Sequence, residues 1–144
     1  MIILDTTILV YAVGTDHPLR APCRELIELV RDGAVRATTT IEVIQEFTHV
    51  RSRRRSREEA ALLAREYGRG LAPLVLLEPD DLFDGLELFE VTDELGPFDA
   101  VLAATARRRG SGLASADRSF GRVTGLRHLD PGSPGFLDHA RAAG

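Results

Sequence analysis

The sequence predicts an α/β domain: a parallel sheet covered by helices on both faces. Three observations predict it. Short apolar runs recur without polar alternation, as in strands buried on both sides. Longer segments with apolar residues at helical spacing lie between them, so strands and helices alternate. Residues that start and stop helices mark the boundaries. With 144 residues and 44% hydrophobic content, residues 1–144 suit a single domain large enough to bury a full core.

Strand-type runs fall at residues 1–4, 35–38, 74–77, 113–115 and, more weakly, 126–129, which gives a sheet of four or five strands. The first helical pattern, 18–31, carries Leu26, Ile27, Leu29 and Val30 on a broad face and stops at Gly33. Thr39 with Glu42, and Ser56 with Glu59, match the capping-box spacing and place two helix starts. Asp80 suits the cap of a helix holding Leu82, Phe83, Leu86 and Phe89, and Pro97 suits the first position of one running to Arg109 and ending at Gly110. Residues 131–144, with Pro131, Pro134 and three glycines, read as a loosely docked tail.

Composition closes several function classes. None of the 18 basic residues is a lysine, which removes Walker-type phosphate loops and Schiff-base chemistry. Aspartyl-phosphate enzymes and receiver domains, which also begin with a strand ending in Asp, normally carry a lysine beside that Asp and so match poorly. No apolar run reaches the roughly 18 residues that span a bilayer, and no basic flank with a cleavage site opens the chain. A cytoplasmic protein without membrane attachment is expected. Cys23 stands alone, so it forms no internal disulfide, and its helical context suggests a small half-buried side chain.

Asp5 ends the first apolar run and is followed by Thr6 and Thr7; a strand that stops on an acid presents it at the sheet edge where sites form. Glu46 lies in mid-helix, Asp99 in the first turn of an alanine-rich helix, and Asp117 just after the apolar segment 112–116. Each has a structural explanation, as a helix cap, a dipole-favoured acid or a turn residue. Together they suggest a divalent-metal site, because carboxylates about 4 Å apart repel by roughly 4 kcal/mol at an effective dielectric near 20 unless a cation compensates. Glu42 is accounted for by the Thr39 cap but competes for the place of Glu46. His49 shares that helix face without a second histidine at ligand spacing.

The strings MIILDTTILVYA, TTTIEVIQEFTHV, GPFDAVLAATA and LASADRSFGRV, in that order over residues 1–123, resemble the four acidic motifs of the PIN-domain ribonucleases, especially the small VapC-type toxins. The resemblance implies a three-layer α/β/α sandwich with a central parallel sheet, and a Mg²⁺- or Mn²⁺-dependent endoribonuclease that hydrolyses RNA in line. It also implies a homodimer and a cognate antitoxin of a type II toxin-antitoxin pair. By motif position Asp5, Glu46, Asp99 and Asp117 would be the catalytic, metal-holding acids. Thr6, Thr7 and Ser115 would be their hydroxyl partners, Thr7 standing where many relatives carry Asn or Ser.

The net charge of −4 argues against a polyanion, but Arg51, Arg53, Arg54, Arg55 and Arg57 form a dense basic run. A solvated helix end and an RNA track both account for it, and its place after the Glu46 helix favours RNA, with Arg51, Arg53, Arg54 and Arg55 as contacts. Arg107, Arg108 and Arg109 are explained as a helix end. The rivals to a toxin nuclease are a PIN-like nuclease outside any toxin system and a non-catalytic binding module with a structural ion.

Overall fold

Ile2, Ile3 and Leu4 are all fully buried and form β1 (Ile2–Leu4), an interior strand of the sheet. The computed structural model describes residues 1–144. After β1 come α1 (Thr6–Ala12), α2 (Arg20–Arg31), β2 (Ala37–Thr38), α3 (Ile41–Arg54), α4 (Arg57–Gly70), α5 (Pro79–Val91) and α6 (Pro97–Arg108). The chain closes with β3 (Gly112–Ala114), a 3-10 turn at Arg118–Arg122, β4 (Arg127–Leu129) and α7 (Phe136–Ala143).

The sheet is parallel throughout, in the order β2-β1-β3-β4, with Ile3 opposite Thr38 and Leu113, and Ala114 opposite Leu129. Seven helices flank it in a three-layer α/β/α arrangement. From β1 the chain first moves outward to β2 and later returns to the opposite side of β1 as β3. That reversal opens a crevice at the carboxyl ends of β1 and β3, where open α/β sheets place their sites.

Helix punctuation explains most of the boundaries. The predicted stops at Gly33 and Gly110 both have positive φ, a conformation that costs glycine little. Pro97 occupies the first turn of α6 as expected, and Ser56 caps α4 by accepting from Glu59 N at 3.1 Å. Three expectations are corrected. Thr40, one residue after Thr39, caps α3, because Thr39 Oγ1 instead donates to Leu4 O at 2.7 Å and ties the helix entrance to β1. Glu78 rather than Asp80 caps α5, in a reciprocal box with Asp81. Residues 74–77 supply only a single bridge, Thr40 to Val75, so the sheet has four strands and Asp117 follows the third.

The tail is not loosely docked. Phe136, Ala140 and Ala143 of α7 are buried in the main core, and the Met1 amino group donates to Ala143 O at 2.6 Å. Its apolar residues recur at helical spacing and meet α2 and β4, which outweighs the turn-forming residues before it. Cys23 is fully rather than half buried, and burial pushes its thiol up to about 12. Thr6–Ala12 forms a helix that the sequence pattern left unread.

α5 and α6 pack closely where Gly85 meets Val101: a Cβ on Gly85 would stand 2.6 Å from Val101 Cα. The fully buried Asp81 receives Arg109 at 2.8 and 2.9 Å, while Arg108 joins Asp80, Asp81 and Asp84. Arg108 and Arg109 therefore fasten two helices together, a larger role than ending one.

Candidate active site

Asp5 leaves β1 with its backbone N bonded to Ala114 O at 3.0 Å, so its position is set by the β1–β3 pairing. Its side chain is 4% exposed. Oδ2 accepts from Thr7 N at 3.2 Å, Thr7 Oγ1 at 2.6 Å and Ser115 Oγ at 2.7 Å, whereas Oδ1 receives no protein donor. The two hydroxyls are aligned in turn, since Ala116 N donates to Thr7 Oγ1 at 2.9 Å and Asp117 N to Ser115 Oγ at 3.0 Å. Asp5 thus caps α1 and faces the crevice at once, its orientation fixed by three hydrogen bonds to one oxygen.

Asp117 starts the 3-10 turn by accepting from Ser119 N at 2.8 Å. Glu46 lies on the exposed side of α3 and accepts from Thr6 Oγ1 at 2.6 Å, a bond that joins α3 to α1. Asp99 sits half-buried in the first turn of α6. Burial, followed by the charges of Asp5, Asp117 and Glu46, pushes its carboxyl up to about 6. All four acids, with Thr6 and Thr7, line one cleft of about 560 Å³.

No three of these acids stand close enough to hold an ion without adjustment. Mutual repulsion of ionised groups keeps such a set apart until a cation compensates. The donors are carboxylate oxygens, the type taken by hard divalent ions that retain several waters.

The remaining candidates separate. Glu42 and His49 line a second, apolar groove of about 620 Å³ on the other side of Glu46 and Asp99, so Glu46 and not Glu42 meets the other acids. Arg54 lines the acidic cleft, while Arg53 and Arg55 lie exposed at the helix end. Arg51 turns inward to donate to Val13 O at 3.2 Å and to pair with Glu59, which accounts for it as a tie between helices. Tyr11 and His17 also line the acidic cleft. The spacing of four between Thr7 and Tyr11 would have placed both on one face had α1 been read as a helix.

The family model "PIN domain" matches residues 2–126. The chain belongs to the PIN-domain family. Among its relatives, "Ribonuclease VapC7" of Mycobacterium tuberculosis (strain ATCC 25618 / H37Rv) is 46% identical over 142 residues, covering 95% of this chain and 96% of the relative. "Ribonuclease VapC23" of the same strain is 35% identical over 112 residues, covering 76% and 86%. A similar PIN fold occurs in the solved structure "Crystal structure of VapBC2 from Rickettsia felis bound to a DNA fragment from their promoter", with a TM-score of 0.68 at 20% identity over 90% of this chain and 98% of that one. Asp5, Glu46, Asp99 and Asp117 sit on four separate elements: the end of β1, α3, α6 and the loop after β3.

Proposed function

We propose that this chain is the toxin of a type II toxin-antitoxin pair and acts as a Mg²⁺- or Mn²⁺-dependent endoribonuclease. The observation that carries the reading is the meeting of Asp5, Glu46, Asp99 and Asp117 in one cleft, in a chain whose relatives are named ribonucleases. Asp5, Asp99 and Asp117 would hold the ion, with Glu46 beside them or on a second one. When bound, the ion would neutralise the crowded carboxylates and supply Lewis acidity toward the phosphodiester and the attacking water.

The residues present have separate tasks. Thr7 and Ser115 fix Asp5 through Oδ2, leaving Oδ1 for coordination. Thr6 orients Glu46. Asp99 gives up its proton as pH rises through about 6, so the full negative charge of the site is available near neutrality. Arg54, inside the cleft, pairs with substrate phosphate, since a guanidinium matches phosphate oxygens in a bidentate manner. The PIN-domain resemblance adds a cognate antitoxin and a homodimer.

Cleavage of a mixed single-stranded RNA pool with Mg²⁺ or Mn²⁺, and its loss in EDTA, tests the chemistry. Asp5→Asn and Asp99→Asn should each reduce turnover by at least about a hundredfold, with metal-free melting temperatures equal to or above the parent's because carboxylate repulsion is relieved. A cooperative melt several degrees lower with turnover retained would make these residues structural. Growth arrest on expression, relieved by the product of the neighbouring reading frame, tests the toxin assignment. An active enzyme without either effect would be a nuclease outside a toxin system.

A further inference from the structure

The cleft has an aromatic end that the chemistry of the acids does not use. Tyr11 of α1 and His17 of the following loop stack with ring centroids 4.6 Å apart and planes inclined by 27°, and both line the cleft that holds Asp5, Glu46, Asp99, Asp117 and Arg54. His17 Nδ1 accepts from Leu19 N at 3.1 Å, which fixes the imidazole in one orientation. Tyr11 is partly buried and packs against the core, whereas His17 is exposed. The position of the pair follows from that of the acids, because Asp5 caps the helix that carries Tyr11.

A phosphodiester bound at the four acids would extend its neighbouring nucleotides along the cleft. Unpaired bases gain most by stacking on aromatic faces, and stacking reads no particular hydrogen-bond pattern. Around this pair the wall is otherwise mainly polar, with Thr15, Asp16 and Arg54, which suits a nucleotide better than an apolar protein segment.

We propose that the Tyr11–His17 stack is the platform on which a base flanking the scissile phosphate rests, making these two side chains substrate-positioning residues. The identity of the polymer rests on the ribonuclease reading above. Preference among cleavage positions would then follow stacking strength, purines over pyrimidines, next to the cut.

The test is a cycle between protein and RNA. Fluorescence anisotropy of labelled single-stranded RNA oligonucleotides, intact or with one abasic nucleotide placed at successive positions, would be measured in the Asp5→Asn background to prevent turnover. One abasic position should weaken binding about tenfold, and the same loss should disappear when Tyr11→Ala or His17→Ala is added. Tyr11→Phe should restore the penalty. If Tyr11→Ala lowers the melting temperature, exposed His17→Ala carries the comparison. An abasic penalty equal in parent and platform variants, or no penalty at any position, overturns the proposal. Parallel cleavage assays on the unmodified chain judge the ribonuclease reading separately: failure to cut would sink that reading, while the binding cycle still decides the platform.

Discussion

Asp99 occupies a place where burial and three neighbouring negative charges all act against its ionised form. The folded chain keeps this proton to a higher pH than an unfolded carboxyl with its ordinary value of 3.8. Its contribution to metal-free stability is therefore most favourable below that value and declines as pH rises through about 6. Metal binding has the opposite trend, because the ion must displace the proton. Calorimetric titration with Mn²⁺ should give tighter binding at about pH 7.5 than at about pH 5, with proton release that is largest at the lower pH and falls away as pH rises through about 6. Melting of the metal-free parent should fall relative to Asp99→Asn over the same interval, and parallel melting curves would show that another group controls it. Asp5 and Asp117 show at this scale that a structural role does not exclude a functional one. Each caps the element that follows it, and the extended backbone of a cap is what turns the carboxylate toward the crevice.

At the scale of elements, the α5–α6 pair depends on an acid that the sequence pattern did not single out. Burial alone would raise Asp81, but hydrogen bonds from Arg109 and the Glu78 backbone, with the charges of Arg109 and Arg108, bring it below its ordinary value. Its stabilisation is present above 3.8 and is lost as pH falls through the lower folded value. Asp81→Ala should cost about 1.5–3 kcal/mol at neutral pH, since it removes the acceptor of the Arg109 guanidinium and of the Glu78 N–H. Urea melts should show the gap between parent and variant closing as pH falls below 3.8 through the lower folded value, and an unchanged gap would place the stabilisation elsewhere. The basic run after α3 divides in the same way. Arg51→Ala should lower stability by about 1–3 kcal/mol with little effect on KM for RNA, because it loses Val13 O and Glu59. Arg54→Ala should raise KM severalfold and flatten its salt dependence while leaving the melt unchanged. Exchange of these two outcomes would mean that the RNA path follows the inner arginine.

For the whole molecule, the arrangement of apolar surface bears on assembly. Of the helices with a broad apolar face, α2 and α4 are the first candidates for a dimer contact. Those helices turn most of their apolar residues inward, with Leu62 left exposed, whereas Leu82, Phe83, Leu86, Phe89 and Val91 of α5, with Phe98 at the start of α6, are all exposed. α5 turns Asp81, Gly85 and Leu88 inward instead. A contiguous apolar patch of this kind favours association over solvent exposure. The homodimer proposed from the PIN resemblance should accordingly form through α5. Sedimentation at micromolar protein should give a dimer for the parent and a monomer for Leu86→Glu with Phe89→Glu. A dimer that survives both substitutions would return the interface to α2 and α4.

The parallel α/β plan, the helix stops at Gly33 and Gly110, the start at Pro97 and the cap at Ser56 were legible along the chain, which also singled out the four acids that the fold brings to one cleft. These are local matters: strand burial, glycine conformation and capping geometry are written in a few adjacent residues. The tertiary structure decided what depends on distance in space. It placed Glu46 rather than Glu42 with the other acids, turned Arg51 inward and Arg54 into the cleft, and left residues 74–77 outside the sheet. It also docked α7 in the core and brought His17 onto Tyr11. The reason is the reversal of the chain at β1. Whether a side chain ends in the crevice, the core or solvent depends on elements that approach from the other side of that reversal, and no window along the chain contains both.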